Sequence, residues 1–593
     1  MRSSRRAGTT LAATVLAATL AATVAAPAGA ANNAHELDLT LLATTDVHGR
    51  VMDWDYFKDA PYSERSGDTT GLARVASVVK DVRAKKGKDH VVVVDNGDAI
   101  QGTPLSYYYA VQEPVTRTGT DHPVAQAFNT IGYDAQVVGN HEFNYGLDLL
   151  GAYAEDLDDP LLGANVIDAA TGKPYLQPYT LVRRQVPGHK PVTVGVLGLT
   201  TPGSAIWDKN NVEGKVTFDD MVATAKTWVP KMRAAGAEVV VVLSHAGTGG
   251  GSSYDSATIP AENPSDVIAR TVPGIDVMVV GHTHLDRPSE VVVNEQTGKK
   301  ALLTQPYRWG ATVSEVDLQL VKERGRWSVK DAAAAALRTK DYREDPAVLA
   351  ALADEHATTV SYVNQVIAQS TAELPAAESR YKDTAILDYI QQVQTETVDA
   401  ALEGTDRAGL PVLSLAAPFS RTALFPQGDV TVRDMAGLYI FDNTLEAVEM
   451  TGAQVDDYLE FSAGKYFATV PAGGTFDPES GTNLGGQPDY NYDTLAGLDY
   501  TIDLAAAPGH KVTLTHADGT PVRGDERFVV AVNNYRRSGG GGFPHVATAP
   551  VVYNQQLEIR QLLIDWAQQH KVIDPADFSD ENWRLVVDGV PAV

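Results

Sequence analysis

The chain has 593 residues, too many for one ordinary hydrophobic core, so more than one domain is expected. A formal charge of −27 opposes a basic groove that tracks phosphates, which argues against a nucleic-acid polymer as partner. With zero cysteines there are neither disulfides nor thiolate ligands, so any metal has to be held by His, Asp, Asn or Glu.

Residues 1–30 read as a removable export signal. Arg2, Arg5 and Arg6 precede an uncharged Ala/Leu/Val/Thr run that ends in Ala26-Pro27-Ala28-Gly29-Ala30, a small-residue cleavage pattern. A membrane anchor is the alternative, and Arg5-Arg6 leaves a twin-arginine route open. No later apolar run approaches the roughly 20 residues of a membrane helix. The mature protein is therefore expected to be exported (secreted, periplasmic or cell-wall-associated) without stable membrane insertion.

Residues 36–340 alternate strand-like runs with helical ones such as 71–86 and 218–235, the pattern of a layered α/β domain. A linker helix is expected within 341–375, with helical periodicity from Ala347 to about Gln369 and Leu349, Leu352, Val360, Val363 and Val366 as its buried stripe. A second domain would fill 376–593, with Gly/Pro/Asn-rich loops at 471–493 and 533–545.

Five polar clusters in the first domain each follow a β-branched run. They are Asp46-Val47-His48, Asn96-Gly97-Asp98, Gly139-Asn140-His141-Glu142, Ser244-His245 and Gly281-His282-Thr283-His284. A sheet that gathers these strand ends would place the carboxylates of Asp46 and Asp98, the amide of Asn140 and five imidazoles at one edge, a donor mixture suited to divalent metals. A site for two ions needs a bridging carboxylate and two sets of further ligands. Asp98, in a Gly-Asp turn, is the candidate bridge. Asp46, His48 and His284 would complete one shell, and Asn140, His245 and His282 the other. On an extended backbone, period-two spacing would point His282 and His284 the same way. His141 is left over and could assist a leaving oxygen as a general acid. A single such cluster would more often be structural; five in order make the metal reading the stronger one.

These clusters resemble those of the calcineurin-like metallophosphoesterases. Over nearly everything after the signal, the chain resembles the exported 5′-nucleotidase and 2′,3′-cyclic-nucleotide phosphodiesterase family, with DVHGR, DNGDAIQGTP, GNHEFNYG, SHAG and GHTH in family order. The resemblance implies a layered β-sandwich flanked by helices, a linker helix and a second α/β nucleotide-binding domain. It also implies two divalent ions, with Mn, Zn, Co and Fe all open, and small-molecule nucleotides as substrates.

In the second half, LAAPFSR (415–421), YIFDNTLEAVEMTG (439–452) and NNYRRSGGGGF (533–543) resemble the cyclic-nucleotide branch. Family position makes Phe441 and Tyr535 the ring clamp for the nucleobase, with Asn443 beside it, and offers Arg421 as a phosphate or sugar contact. Two departures from the 5′-nucleotidase pattern stand out. Asn144 replaces an Asp that pairs with the catalytic His, so a strong upward pKa shift of His141 is in doubt. Gly541 replaces an Asp that holds ribose hydroxyls. The resemblance thus implies hydrolysis of 2′,3′-cyclic nucleotides to 3′-nucleotides, and of these to nucleoside and phosphate, by a two-metal hydroxide attack. The alternatives are a 5′-nucleotidase or nucleotide-sugar hydrolase, and a nucleotide-binding surface protein without catalysis.

Overall fold

The structure is a computed structural model that describes residues 35–593 apart from 64–66, 253, 255 and 442; the expected signal at 1–30 lies outside the described residues. The first unit is a sandwich of two six-stranded sheets. In one, Glu36–Thr44 pairs antiparallel with Thr312–Glu323 on one side and parallel with Val91–Asp95 on the other, followed by Ala135–Val137. In the other, Val192–Thr200, Val239–His245, Val277–Val280 and Lys300–Pro306 run parallel in that order.

The facing sheets bury a Val/Leu core that includes Leu39, Leu41, Val92, Val94, Val194, Val241 and Val279. Both faces of the central strands are covered, which is why Val91–Asp95 reads VVVVD, buried throughout, without polar alternation. On one outer face lie helices Leu72–Lys86, Pro123–Ile131 and Gly146–Asp156, and on the other Met221–Ala234 and Ser265–Thr271. Helices therefore flank the β-sandwich on both sides, as the resemblance implied.

The linker differs from its expected form. Helices Pro346–Ala351 and Ala353–Val363 meet at Leu352, and helix ends at Val363. Residues Val366–Ser370 form a strand between Gly428–Thr431 and Val572–Ile573. The segment pairs its backbone with another strand, Val366 with Thr431 and Ala368 with Val430, which overrides a helical spacing of apolar residues. Val366 is exposed; between Pro346 and Val363 the buried side chains are Val348, Leu352, Thr359 and Val363. Val348 and Leu352 belong to the core of the first unit, so that half of the linker is packed rather than free.

The second unit is centred on a five-stranded sheet ordered Thr494–Ala496, Val412–Ala416, Arg527–Asn533, Thr444–Thr451 and Val551–Glu558. Helix Ala385–Leu402 covers it, burying Ile386, Ile390, Val393 and Val398. Among the described residues no helix is long and apolar enough to cross a membrane.

Candidate active site

The five clusters stand at the carboxyl ends of strands from both sheets, three in one and two in the other, rather than along a single sheet as expected. Asp46 and His48 follow Glu36–Thr44, Asp98 follows Val91–Asp95, and Asn140 and His141 follow Ala135–Val137. His245 ends its strand, while His282 and His284 follow Val277–Val280. Two donor groups result: Asp46, His48 and His284, and Asp98, His245 and His282, the donor atoms of each group within 4.8 Å of one another.

The backbone there is not extended. Asp46, His48, Asp98, His282 and His284 have φ of 51, 50, 58, 68 and 50°. Left-handed conformations cost non-glycine residues of order 1–3 kcal/mol each and persist where the surroundings over-determine them. Here Asp46 N donates to Gly97 O at 2.9 Å and His48 N to Asp98 O at 2.8 Å. His282 N donates to Asp46 Oδ1 at 3.1 Å. The expectation that His282 and His284 point alike on an extended segment is thus corrected: a tight turn directs them into different groups. Gly139 makes the packing possible, since a Cβ there would stand 2.1 Å from Asp98 Oδ1.

Three of the rings are oriented by a second contact. His48 Nδ1 lies 3.0 Å from Gln101 O and His245 Nδ1 lies 2.6 Å from Asn96 O, which leaves both Nε2 atoms facing the centre. His282 is turned the other way, with Nε2 2.9 Å from Glu262 Oε1. Asp98 Oδ2 is 3.0 Å from His245 Nε2 and 3.9 Å from His48 Nε2, so this carboxylate stands between the two groups.

Charge is dense and buried. Burial pushes Asp98 up, but His245, His141 and His48 more than offset this and hold it well below the usual carboxylate range. Burial would lower His245, yet Asp98 and Asp46 outweigh it and raise the ring to about 10. His48 falls to about 3, by burial first and the neighbouring His284 second. Asn140 Oδ1 is buried without a hydrogen-bond partner. An orphaned oxygen beside clustered imidazoles and carboxylates fits a divalent-metal donor set.

His141 belongs to neither group. Its Nδ1 is 2.7 Å from Asn144 Oδ1, and its ring centroid is 5.1 Å from that of His48. Asn144 Nδ2 in turn donates to Asp208 Oδ1 at 2.7 Å. The amide partner does not leave the ring without an upward shift: burial opposes the charged form, but Asp98, the Asn144 hydrogen bond and Asp208 together raise its pKa. Burial pushes Asp208 itself up to about 7, against the pull of His141 and Asn144. Glu142, beside His141, faces backbone instead, accepting from Asp98 N at 2.8 Å and Ala99 N at 2.5 Å.

A cavity of about 1100 Å³ joins these residues to the second unit. Asp98, Asn140, His141, His282 and His284 line one side; Phe419, Phe441, Asn443, Tyr490 and Tyr535 line the other. Phe419, Tyr535 and Phe441 flank strands Val412–Ala416, Arg527–Asn533 and Thr444–Thr451, which gathers them at one sheet edge. Phe441 and Tyr490 meet edge-to-face at 5.6 Å, and the Tyr535 ring lies on the backbone of Gly540, where a Cβ would come within 2.5 Å. Arg421 is not brought to the cavity wall; its guanidinium pairs with Asp489 and with Asn483 Oδ1 at 2.8 Å.

Asp208, Glu262 and Arg308 also line the cavity, and sequence reasoning missed all three. Each sits in a loop without metal-ligand spacing. Arg308, held 3.9 Å over the Trp309 ring, is the only Lys or Arg among the described lining residues.

Two family models match: calcineurin-like phosphoesterase over residues 39–286, and 5′-nucleotidase, C-terminal domain, over 366–548. The Haemophilus influenzae 2′,3′-cyclic-nucleotide 2′-phosphodiesterase/3′-nucleotidase is 32% identical, across 94% of this chain and 88% of that protein. The Bacillus subtilis trifunctional nucleotide phosphoesterase protein YfkN is 31% identical over 93% of this chain, which spans 39% of that longer protein. A Staphylococcus aureus protein solved with alpha-ketoglutarate shares the fold at TM-score 0.73 and 24% identity, covering 93% of this chain and 100% of its own. On these matches, this chain belongs to the 2′,3′-cyclic-nucleotide 2′-phosphodiesterase/3′-nucleotidase family of metallophosphoesterases with a 5′-nucleotidase C-terminal domain.

Proposed function

We propose that the protein hydrolyses 2′,3′-cyclic nucleotides to 3′-nucleotides, and 3′-nucleotides to nucleoside and phosphate, with two divalent ions (Mn, Zn, Co or Fe) as cofactors. The observation that carries this reading is that one cavity has metal-donor groups on one side and a cluster of aromatic rings on the other. Asp46, His48 and His284 would hold one ion, Asn140, His245 and His282 the other, and Asp98 would bridge. Bound there, such ions activate water and neutralise phosphoryl charge.

The remaining steps belong to side chains. Phe441 with Tyr535 or Tyr490 stacks the base, and Asn443 borders it. Arg308 supplies positive charge to the phosphoryl oxygens. His141, anchored through Nδ1, presents Nε2 to protonate the departing sugar oxygen. Gly541 favours substrates whose ribose hydroxyls carry the phosphate. Its φ is +76°, and a Cβ there would stand 2.8 Å from Arg536 Nη1, so no carboxylate reaches the ribose from this position.

A substrate panel tests the reading with one metal-loaded preparation: 2′,3′-cyclic AMP, 3′-AMP, 5′-AMP and a nucleotide sugar. The first two should give the highest kcat/KM; a clear win for 5′-AMP overturns the assignment. Residues 1–30 further support export, which sequencing the amino terminus of the protein recovered outside the cytoplasm would check, with a start near Ala31 expected.

A further inference from the structure

We infer that Asp208 is a positioning residue for His141, acting through the side-chain amide of Asn144; this rests on the role of His141 proposed above. An amide has two chemically different ends, and a carboxylate can only accept. Asp208 Oδ1 lies 2.7 Å from Asn144 Nδ2, which commits that end of the amide and turns Asn144 Oδ1 toward His141 Nδ1, also at 2.7 Å. An oxygen facing Nδ1 requires a proton on Nδ1. Nε2 is then the atom directed to the reaction. With the amide turned over, an N–H would face Nδ1 and the ring could not hold a proton there.

The surroundings are built for this single task. Asp208 is 4% exposed, and its other oxygen, Oδ2, is buried without a hydrogen-bond partner, so no second donor competes for the carboxylate. It stands between the short helices Ser204–Trp207 and Lys209–Val212. Asn211, on the second of these, donates to Phe143 O at 3.0 Å and Asn144 O at 2.8 Å. One segment thus fixes both the backbone and the amide of the His141 turn. The carboxylate missing from position 144 is supplied one hydrogen bond further out, from a different part of the chain.

The test is an exchange of the two groups, measured at pH 8 with 2′,3′-cyclic AMP and metal-loaded enzyme. Asp208→Asn and Asp208→Ala should lower kcat about 10- to 100-fold, with KM and metal content unchanged. Asn144→Asp alone sets two carboxylates against each other and should also be slow. Asn144→Asp combined with Asp208→Asn restores a carboxylate, an amide and the imidazole to one hydrogen-bonded chain, and should recover to within about threefold of wild type. Such recovery cannot come from a purely structural Asp208, because both singles are worse than the double. The ring ¹⁵N signals of His141 give a readout independent of substrate: Nδ1 protonated in the wild type, and less so in Asp208→Ala, which leaves Asn144 Nδ2 without its acceptor. Unchanged kcat in Asp208→Ala, a double variant no faster than the singles, loss of metal from the Asp208 variants, or identical ¹⁵N signals would each overturn the inference. Failure of the nucleotide panel with a changed ¹⁵N signature would overturn the substrate reading alone.

Discussion

Asp98 Oδ2 lies 3.0 Å from His245 Nε2, with both side chains closed to solvent. The same carboxylate is 3.9 Å from His48, in the other donor group. A carboxylate shared in this way is the residue whose loss should damage both groups together. Asp98→Asn is expected to lower metal content and to cut turnover by several orders of magnitude. Chelation should reproduce the loss, and Mn, Co or Zn should reverse it in the wild type. Full activity after stripping, verified by elemental analysis, would rule out metal-dependent chemistry.

His141 gives the complementary expectation because its Nδ1 is engaged by Asn144 and it belongs to neither donor group. His141→Ala should lower kcat roughly 10²–10⁴-fold while metal content stays at the wild-type level. Metal lost with the imidazole would make it a ligand and remove the acid from the scheme.

The parallel strands announce themselves by uninterrupted Val runs, and the ligand candidates lie directly behind them, so strands and candidate clusters were legible together, whereas their division between two facing sheets was not. What was not legible is the left-handed backbone at Asp46, His48, Asp98, His282 and His284, because a local turn is decided by hydrogen bonds from other strands. Asp208 was hidden for a similar reason: it is 64 residues from Asn144, and only the fold brings the pair together. Val366 misled because apolar spacing cannot show that the chain has begun to pair as a strand. Arg421 lies in the family motif, but its charge is spent on Asp489.

The ring cluster predicts a division among tyrosines that sequence could not make. Tyr490 lines the cavity 5.6 Å from Phe441, whereas Tyr492 is 1% exposed and stacked on Tyr466 at 4.4 Å. Stacking a base is worth roughly 1–3 kcal/mol, or about 5- to 150-fold in binding. Phe441→Ala and Tyr535→Ala should therefore raise KM for 2′,3′-cyclic AMP within that range and leave hydrolysis of a small aryl phosphodiester nearly unchanged. Arg421→Ala should affect neither substrate directly. If both ring variants keep the wild-type KM, the base binds elsewhere.

The last expectation concerns stability in the second unit. Asp388, on helix Ala385–Leu402, is 6% exposed and accepts from Ser579 Oγ at 2.7 Å, while Asp383 takes the backbone N–H of Asn582 at 2.9 Å. Burial first, and the charge of Asp383 second, push Asp388 up to about 8. A carboxyl raised in the folded state holds a proton that the unfolded chain releases near the ordinary value of about 4. Its contribution is fully present below that value and is lost as pH rises through about 8, so this pair should erode stability across pH 4 to 8. Asp388→Asn keeps the shape and a donor toward Asp383 without the titration. The variant should match wild type near pH 4 and gain on it toward pH 8 by on the order of 1 kcal/mol or more, about 2–4 °C in Tm for a unit of this size. Thermal melts of the full chain at several pH values measure the difference directly. Parallel Tm curves for the two proteins would show that Asp388 does not hold its proton in the folded state.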